Sequence, residues 1–411
     1  MPDEPVRIGL LGAGFAAATH CEAYAACLHP RAQVVAVAAG RRSSAEALAA
    51  RFAIPEVVDD AAALLARDDL EAIDICTPNR SHAPLALAAL RSGRHVLVEK
   101  PLTGYFGPLD ASPETRVGNL PRDMMLAEAV QSADDLLQAA SEAGVQLGYG
   151  ENLVYSPVVR RAKELLERSD ARLLEIRASE CHSGSHAAYA MRWREAGGGA
   201  LLRLGSHPIG LALHLKRAEG ERLAGKPIEV AAVSAEVATL ANDSGATGYL
   251  VSGWQDVENW SAVTLTFTDG SHAICLASDL ALGGIEDGVQ LLTARARFNI
   301  NLSHSSLFQV YAPSGDIFAG APLQEKSHTN AGWSFPEIDA PWLYGFRDEL
   351  QDFTAAIRAG RPPLADGRLG HAVVEAIYAA YLSAAEGRRV TLRPLEEAPA
   401  SANPTPAGSW R

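Results

Sequence analysis

A glycine-rich turn near the N-terminus constrains this chain more than any other feature. The apolar run Val6–Leu11 predicts a strand, and it leads into a G-x-G-x-x-A pattern formed by Gly12, Gly14 and Ala17. The first glycine permits a tight turn, the second lets backbone approach a pyrophosphate, and the alanine lets helix and strand pack closely. This context predicts a dinucleotide site that includes Phe15, while a glycine turn without a ligand is the alternative reading.

Hydrophobic periodicity extends this reading to the whole chain. Up to residue 150, short apolar runs alternate with helical stretches, which is typical of βαβ units and a parallel sheet with helices on both faces. From residue 151, strand-like segments follow one another, with a hairpin turn at Asp269 and Gly270. The predicted fold is α/β, an N-terminal Rossmann domain plus a C-terminal α+β domain with an open, mostly antiparallel sheet. The expected divisions are 1–150, 151–392 and a disordered tail, 393–411.

Composition excludes several functional classes. Asp and Glu total 49 against 36 Lys and Arg, a net charge of −13, which argues against a nucleic-acid partner. No apolar run reaches the ~18–20 residues of a membrane span. The five cysteines are scattered, and the chain enters a strand within a few residues, so a reduced, cytoplasmic protein without a signal peptide is expected.

The residues after the second strand bear on the cofactor. NAD sites usually carry Asp or Glu there for the ribose hydroxyls. This chain instead has Gly40, Arg41 and Arg42, followed by two serines, where the 2′-phosphate of NADP would lie. Arginine pairs well with phosphate, so NADP is favoured over NAD. The alternative is that both arginines are solvated.

Three further motifs occur in order. They are Thr77-Pro78-Asn79 with His82, Glu99-Lys100-Pro101, and a run of glycines at 197–199 that leads to His207. Together with the glycine turn, this order resembles the glucose–fructose oxidoreductase / inositol 2-dehydrogenase / rhizopine catabolism (Gfo/Idh/MocA) family over nearly the whole chain.

The resemblance implies an NAD(P)-dependent oxidoreductase with its pocket between the two domains. It places Lys100 beside the nicotinamide, oriented by Glu99 and Pro101 with a cis Lys100–Pro101 bond, and makes Lys100 and His207 the catalytic residues. It further implies that the nicotinamide side of the cofactor is lined by Thr77, Pro78, Asn79 and His82.

One position departs from the family pattern. Where many relatives carry an aspartate four residues before the histidine, this chain has Arg203. If Arg203 shares a helix face with His207 and points into the cleft, it would bind an anionic substrate group and lower the pKa of His207. The alternative is that Arg203 turns away and pairs with a carboxylate such as Glu180.

Polar and aromatic residues near this motif are the expected substrate contacts. The segment that leaves the strand at residue 180 and the start of the linking helix both reach the interdomain cleft in such folds. The candidates are Asn152, Glu180, His182, His186 and Trp193. A core position is the alternative for Trp193. The loose His and Glu spacing does not predict a metal site.

The expected function is hydride transfer between nicotinamide and a secondary hydroxyl of a sugar, sugar acid or polyol. Two alternatives stay open, an NAD-dependent glycosidase that uses transient C3 oxidation and a non-catalytic cofactor-binding regulator. A homo-oligomer, dimer or tetramer, is expected because the open sheet commonly mediates assembly in the family. The segment 103–124, rich in Pro and Gly, is expected to form a lid or a subunit contact.

Overall fold

The computed structural model describes residues 4–185, 187–240, 248–303, 310–314, 331–334 and 339–392. The predicted tail, 393–411, and His186 lie outside the described residues.

The first sheet has six parallel strands in the order β3-β2-β1-β4-β5-β6. Its strands are β1 Val6–Leu11, β2 Ala32–Ala38, β3 Glu56–Val57, β4 Ala72–Ile75, β5 His95–Glu99 and β6 Leu147–Gly150. The helices that connect them are α1 Phe15–Ala25, α2 Arg42–Phe52, α3 Ala61–Leu65, α4 His82–Arg91 and α5 Arg122–Ala143. This order reverses direction at β1, which opens a crevice at the carboxyl ends of the strands.

The second sheet has seven strands in the order β12-β11-β7-β10-β9-β8-β15. Its strands are β7 Leu173–Cys181, β8 Val230–Ala238, β9 Trp260–Phe267, β10 His272–Ser278, β11 Glu286–Thr293, β12 Arg297–Asn301 and β15 Val390–Thr391. Only β7 and β10 pair in parallel, so the mostly antiparallel sheet is confirmed. The predicted turn joins β9 to β10, with Gly270 at φ +85°. A small separate pair consists of β13 Val310–Ala312 and β14 Gly332–Ser334.

Seven helices accompany this second sheet in the described ranges. They are α6 Pro157–Ser169, α7 Trp193–Ala196, α8 Ala200–Arg203, α9 Ser206–Ala224, α10 Ala340–Leu343, α11 Phe346–Ala359 and α12 Gly367–Glu386. The long helix α9 runs across β7 and buries most of its length, including the ion pair that Lys216 makes with Glu219.

The C-terminal helices return to the first half of the chain. Helix α11 packs on α1 and helix α12 on α5, and the backbone N–H of Tyr149 donates to the carbonyl of Ala365. The loop before α5 also crosses between the two halves, since Trp193 Nε1 donates to the carbonyl of Tyr105 at 3.0 Å and Gly118 N to Asp256 Oδ2 at 2.9 Å. These contacts fix the walls of the cleft between the sheets.

Candidate active site

The glycine turn has the conformation that its residue types predict. Gly12 adopts φ +111°, and a Cβ there would lie 2.3 Å from the carbonyl oxygen of Cys76, so only glycine fits between the ends of β1 and β4. Gly14 precedes α1 with open space around it, and Ala17 is fully buried. Phe15 begins α1 with 74% of its surface exposed. The turn therefore fits a dinucleotide phosphate at a helix N-terminus.

The two arginines after β2 differ in their surroundings. Arg42 donates to Glu46 at 3.0 Å and also pairs with Asp59, so its charge is already matched. Arg41 precedes α2 and is exposed next to the open backbone of Gly40, and no ion pair is found for it among the described residues. Arg41 is thus the freer cation at this position.

The loop after β4 lies against the second half of the chain. Thr77 and Pro78 are accessible, whereas Asn79 is buried and donates to the carbonyl of Ala196 at 2.8 Å. His82 is 1% exposed, and its ring lies between the carbonyls of Thr77 (2.8 Å) and Pro101 (2.7 Å). His82 therefore joins two strand-end loops, and its place on the nicotinamide side of the cofactor stays a prediction.

Lys100 lies at the end of β5, and the Lys100–Pro101 bond is cis, as expected. Its Nζ donates to the carbonyl oxygen of Arg203 at 2.6 Å, which binds the side chain to the second half of the chain. Glu99 accepts from the Lys100 backbone N–H at 2.8 Å. Burial would raise the pKa of Glu99, but His20 and Lys100 outweigh it and lower that pKa.

A buried polar chain that sequence reasoning missed supports Glu99. His20 on α1 lies 2.8 Å from Asp74 through Nδ1 and 3.4 Å from Glu99 through Nε2. Burial disfavours charge on His20, yet the Asp74 carboxylate prevails and raises the pKa of His20. Asp74 interrupts an otherwise apolar strand, which is the signal that could have revealed this pair. His20, Asp74 and Cys76 have metal-like spacing, but the ring nitrogen nearest Asp74 is already hydrogen-bonded.

His207 occupies the first turn of α9, between two carboxyl groups. Its Nδ1 is 2.8 Å from Glu151 Oε1, and its Nε2 is 3.9 Å from Glu180 Oε2. Burial lowers the pKa of His207 to about 4, opposed by Glu180 and assisted by Lys100. The imidazole is therefore neutral at physiological pH. The sequence predicted this direction, but the cause is burial with Lys100, not Arg203.

Glu180 faces a second carboxyl group that sequence reasoning missed. Asp287 on β11 pairs in register with Glu180 on β7, so both side chains lie on the same face of the sheet. Burial raises the pKa of Glu180 to about 8 and that of Asp287 to about 7. Nothing in the local sequence shows that these residues, distant along the chain, are opposite each other.

Arg203 is not the free cation that the sequence reading favoured. Its guanidinium forms a buried ion pair with Asp279 and lies 5.2 Å from the centre of the Trp254 ring. Arg203 ends α8, and α9 begins only at Ser206, so Arg203 and His207 do not share one helix face. The alternative, pairing with a carboxylate, is the arrangement found, although the partner is Asp279 instead of Glu180.

Two other expected substrate contacts are buried. Trp193 is 1% exposed and packs against Tyr378 and Tyr381, which makes it a core residue. The substrate contact of Trp193 was wrongly assigned from sequence, because its neighbours come from α12, late in the chain. Asn152 is buried and donates to the carbonyl of Tyr344 at 2.8 Å, and its contact with substrate stays a prediction.

His182 lies beside the Arg203 ion pair. Its Nδ1 accepts from the backbone N–H of Gly184 at 2.9 Å and lies 3.6 Å from Asp279 Oδ1. The residue is 7% exposed, and its contact with substrate stays a prediction.

Family models match both halves of the chain. Residues 6–110 match the oxidoreductase family with an NAD-binding Rossmann fold, and residues 169–392 match the C-terminal alpha/beta domain of the same family. The chain belongs to the Gfo/Idh/MocA oxidoreductase family. The α/β fold class and the NAD-binding fold predicted from the motifs are confirmed.

Individual relatives cover the chain to different extents. Inositol 2-dehydrogenase of Rhizobium meliloti is 24% identical over 94% of this chain and 99% of that enzyme. A dTDP-3,4-didehydro-2,6-dideoxy-alpha-D-glucose 3-reductase of Streptomyces antibioticus is 33% identical, but the match takes in 52% of this chain and only 58% of that enzyme.

Solved structures agree with the fold. GenD2 from gentamicin A biosynthesis, in complex with NAD, has a TM-score of 0.77 at 27% identity and covers 96% of this chain and 98% of its own. Levoglucosan dehydrogenase in complex with NADH and L-sorbose has a TM-score of 0.67 at 22% identity, over 95% of this chain and all of that one, and shows the shared fold. Across the described ranges, no helix is long and apolar enough to cross a bilayer.

Proposed function

We propose that this protein transfers a hydride between a nicotinamide cofactor and a secondary hydroxyl of a sugar or polyol. The observation that carries the proposal is the convergence of Lys100, His207 and Glu180. Lys100 is close enough to His207 and Glu180 to shift the pKa of each. The relatives named for activity on inositol, levoglucosan and a sugar 3-position support the substrate class.

The residues of the chain divide the work on the hydroxyl proton. With Nδ1 of His207 bonded to Glu151, Nε2 faces the cleft and can exchange a proton with the substrate hydroxyl. Lys100 uses one N–H on the Arg203 carbonyl, which fixes its ammonium and leaves two donors for the reacting oxygen. His207 can accept a proton, and Lys100 can donate a hydrogen bond from a cationic group. This combination suits a hydroxyl that gains or loses a proton during the reaction.

The cofactor would be held at the turn of Gly12 and Gly14. When bound, it supplies the hydride acceptor or donor. We further propose a preference for NADP, because Arg41 is an exposed cation at the end of β2 and no carboxylate follows that strand. Arg41→Ala should raise the KM for NADP about tenfold with little change in the KM for NAD. Arg42→Ala is the matched control, because Arg42 is already paired, and it should change the KM for NADP less. Equal effects of the two substitutions would contradict the preference.

The function is tested by following nicotinamide absorbance with a panel of sugars, amino sugars, inositols and sugar acids. Turnover is expected with at least one, and Lys100→Met and His207→Asn should abolish it while cofactor binding persists. Cofactor binding without turnover on the whole panel would favour a regulator instead. Release of an aglycone without net reduction of the cofactor would indicate a glycosidase.

We also propose that the protein assembles through the outer face of the seven-stranded sheet. Leu174 and Ile274 are 54% and 45% exposed on that face, which is not covered by a described helix. Leu174→Arg combined with Ile274→Arg should lower the mass measured by light scattering. If the wild type is oligomeric and the double variant has the same mass, the interface lies on another surface.

A further inference from the structure

Carboxyl groups outnumber cations around His207. Glu151, Glu180 and Asp287 act electrostatically on one another, and Lys100, which has no ion pair among the described residues, acts on all three. The other cation of the site, Arg203, is already neutralised by Asp279. A carboxylate or phosphate of a substrate would compete with these carboxyl groups for Lys100 and would disfavour their ionised forms, which opposes the anionic substrate expected from the sequence.

Two of these carboxyl groups are buried with unused oxygens. Glu180 is 9% and Asp287 5% exposed, and neither Glu180 Oε2 nor Asp287 Oδ1 has a hydrogen-bond partner among the described residues. Buried polar atoms are seldom left without a partner, so an incoming donor is the simplest way to satisfy them. The pair sits on adjacent strands, so one small group could contact both side chains.

Space for a substrate adjoins the pair. A cavity of about 410 Å³ is lined by residues 281–288, Asn301 and Ser303, and Asp287 belongs to this lining. Its volume falls within the ~300–1,000 Å³ typical of small-molecule sites. Asp287 therefore belongs to the wall of this cavity and also lies opposite Glu180 in the sheet.

We propose that the Glu180–Asp287 pair binds a protonated amine of the substrate, so that this enzyme acts on an amino sugar or aminocyclitol. The proposal rests on the function proposed above and narrows its substrate class. An ammonium group supplies three donors and a positive charge, which match two carboxylates. A neutral hydroxyl supplies only one donor and no charge.

The geometry also indicates where the amine lies on the ring. Glu180 Oε2 is 3.9 Å from His207 Nε2, the atom placed to exchange the proton of the reacting hydroxyl. Hydrogen bonds of about 2.8 Å from each of these atoms reach two substituents that are neighbours on one ring. The amine is therefore expected on the carbon next to the oxidised carbinol.

Amine binding should release protons. In the free protein Glu180 faces His207, Asp287, Lys100 and Glu151, and burial raises the pKa of Glu180 to about 8 and that of Asp287 to about 7. Both groups hold protons to a large extent at pH 7, and an ammonium would favour their ionised forms. About one proton should leave per amine bound, whereas a neutral sugar should release none.

The kinetic test compares D-glucose with its 2-amino-2-deoxy, 3-amino-3-deoxy and 4-amino-4-deoxy analogues and with D-glucuronate. At least one amino sugar should exceed glucose about 10- to 100-fold in kcat/KM, and glucuronate should be the poorest. Glu180→Gln and Asp287→Asn should each remove that preference. Glu175→Gln is the control, because Glu175 is on the same strand but on its opposite face, paired with Arg177.

The binding test is independent of turnover. Calorimetry of the cofactor-loaded enzyme with the preferred amino sugar, in buffers of different ionisation enthalpy, should show proton release that Glu180→Gln diminishes. Cofactor titration and thermal unfolding identify any variant that fails to fold, and the wild-type measurements then decide alone. Glucose performing as well as every amino analogue, or amine binding without proton release, would overturn the inference. Absence of turnover on all sugars would instead reject the proposed function.

Discussion

The ion pair of Arg203 offers a sharp test of how the site is built. Its side chain and that of Asp279 are 8% and 0% exposed, so Arg203→Met would leave a buried carboxylate without its cation. Removing one partner of a buried pair typically destabilises a protein by about 3–5 kcal/mol. Met preserves most of the side-chain length, so the loss reports the charge and not a large cavity.

Thermal unfolding followed by circular dichroism measures this effect. For a domain of this size, about 3–5 kcal/mol corresponds to a fall in Tm of roughly 6–20 °C. The double variant Arg203→Met with Asp279→Asn should recover most of the loss, because a neutral pair no longer leaves a buried charge unmatched. Asp279→Asn alone should be destabilising through the unpaired guanidinium.

Kinetics then separate a structural role from anion recognition. The Arg203 carbonyl accepts the Lys100 Nζ–H, so displacement of residue 203 should lower kcat/KM for neutral, amino and acidic sugars by similar factors. A variant that unfolds like the wild type but selectively loses activity on sugar acids would refute this reasoning. In that case Arg203 would face the substrate, as the sequence reading favoured.

Three further predictions concern the carboxyl groups and the glycine turn. Glu151→Leu removes the partner of His207 and should lower kcat about 10- to 100-fold with little change in KM. Glu151→Gln keeps a hydrogen bond to His207 and should retain much of the wild-type kcat. Equal losses of kcat in the two variants would contradict a positioning role for Glu151. At pH values between the usual glutamate pKa and about 8, the folded state keeps a proton on Glu180 that the unfolded state releases, so the free energy of unfolding falls as pH rises through that window. Glu180→Gln should therefore raise Tm at pH 8 more than at pH 5. A shift in Tm that does not depend on pH would argue against a raised pKa. Gly12→Ala forces a Cβ against the Cys76 carbonyl at φ +111°. The substitution should lower the free energy of unfolding by about 1–3 kcal/mol and weaken cofactor binding in a fluorescence titration. Unchanged cofactor binding would contradict the role of the turn.

Most strands were predictable because their signal is local. The bounds of β1 match those of the apolar run Val6–Leu11 that predicted it. Helix α9 was not predicted as a separate element, since it carries apolar residues on nearly all sides and so lacks a clear amphipathic period. The break between α8 and α9 was equally invisible, and it decides where Arg203 points.

The residues of the candidate site also differ in whether a local sequence signal reveals them. Short continuous motifs contain Gly12, Lys100 and His207. The structure brings Lys100 and His207 together with Glu180 in one cleft. Asp287 and Asp279 have no local motif, so no reading of neighbouring residues could assign them. Their roles depend on which strand lies beside which.

The sequence by itself determined the fold class and the dinucleotide turn, because each depends on backbone conformation or spacing over a few residues. The two residues proposed to move the hydroxyl proton came from the family resemblance. The charge of the pocket was decided only by tertiary structure. Strand register places Asp287 opposite Glu180, and chain folding brings Asp279 to Arg203. Burial then raises the pKa of Glu180 and lowers that of His207, since removal from water penalises charge in both. The cleft that the sequence was expected to direct toward anions is therefore proposed to bind a cation through its buried carboxyl groups.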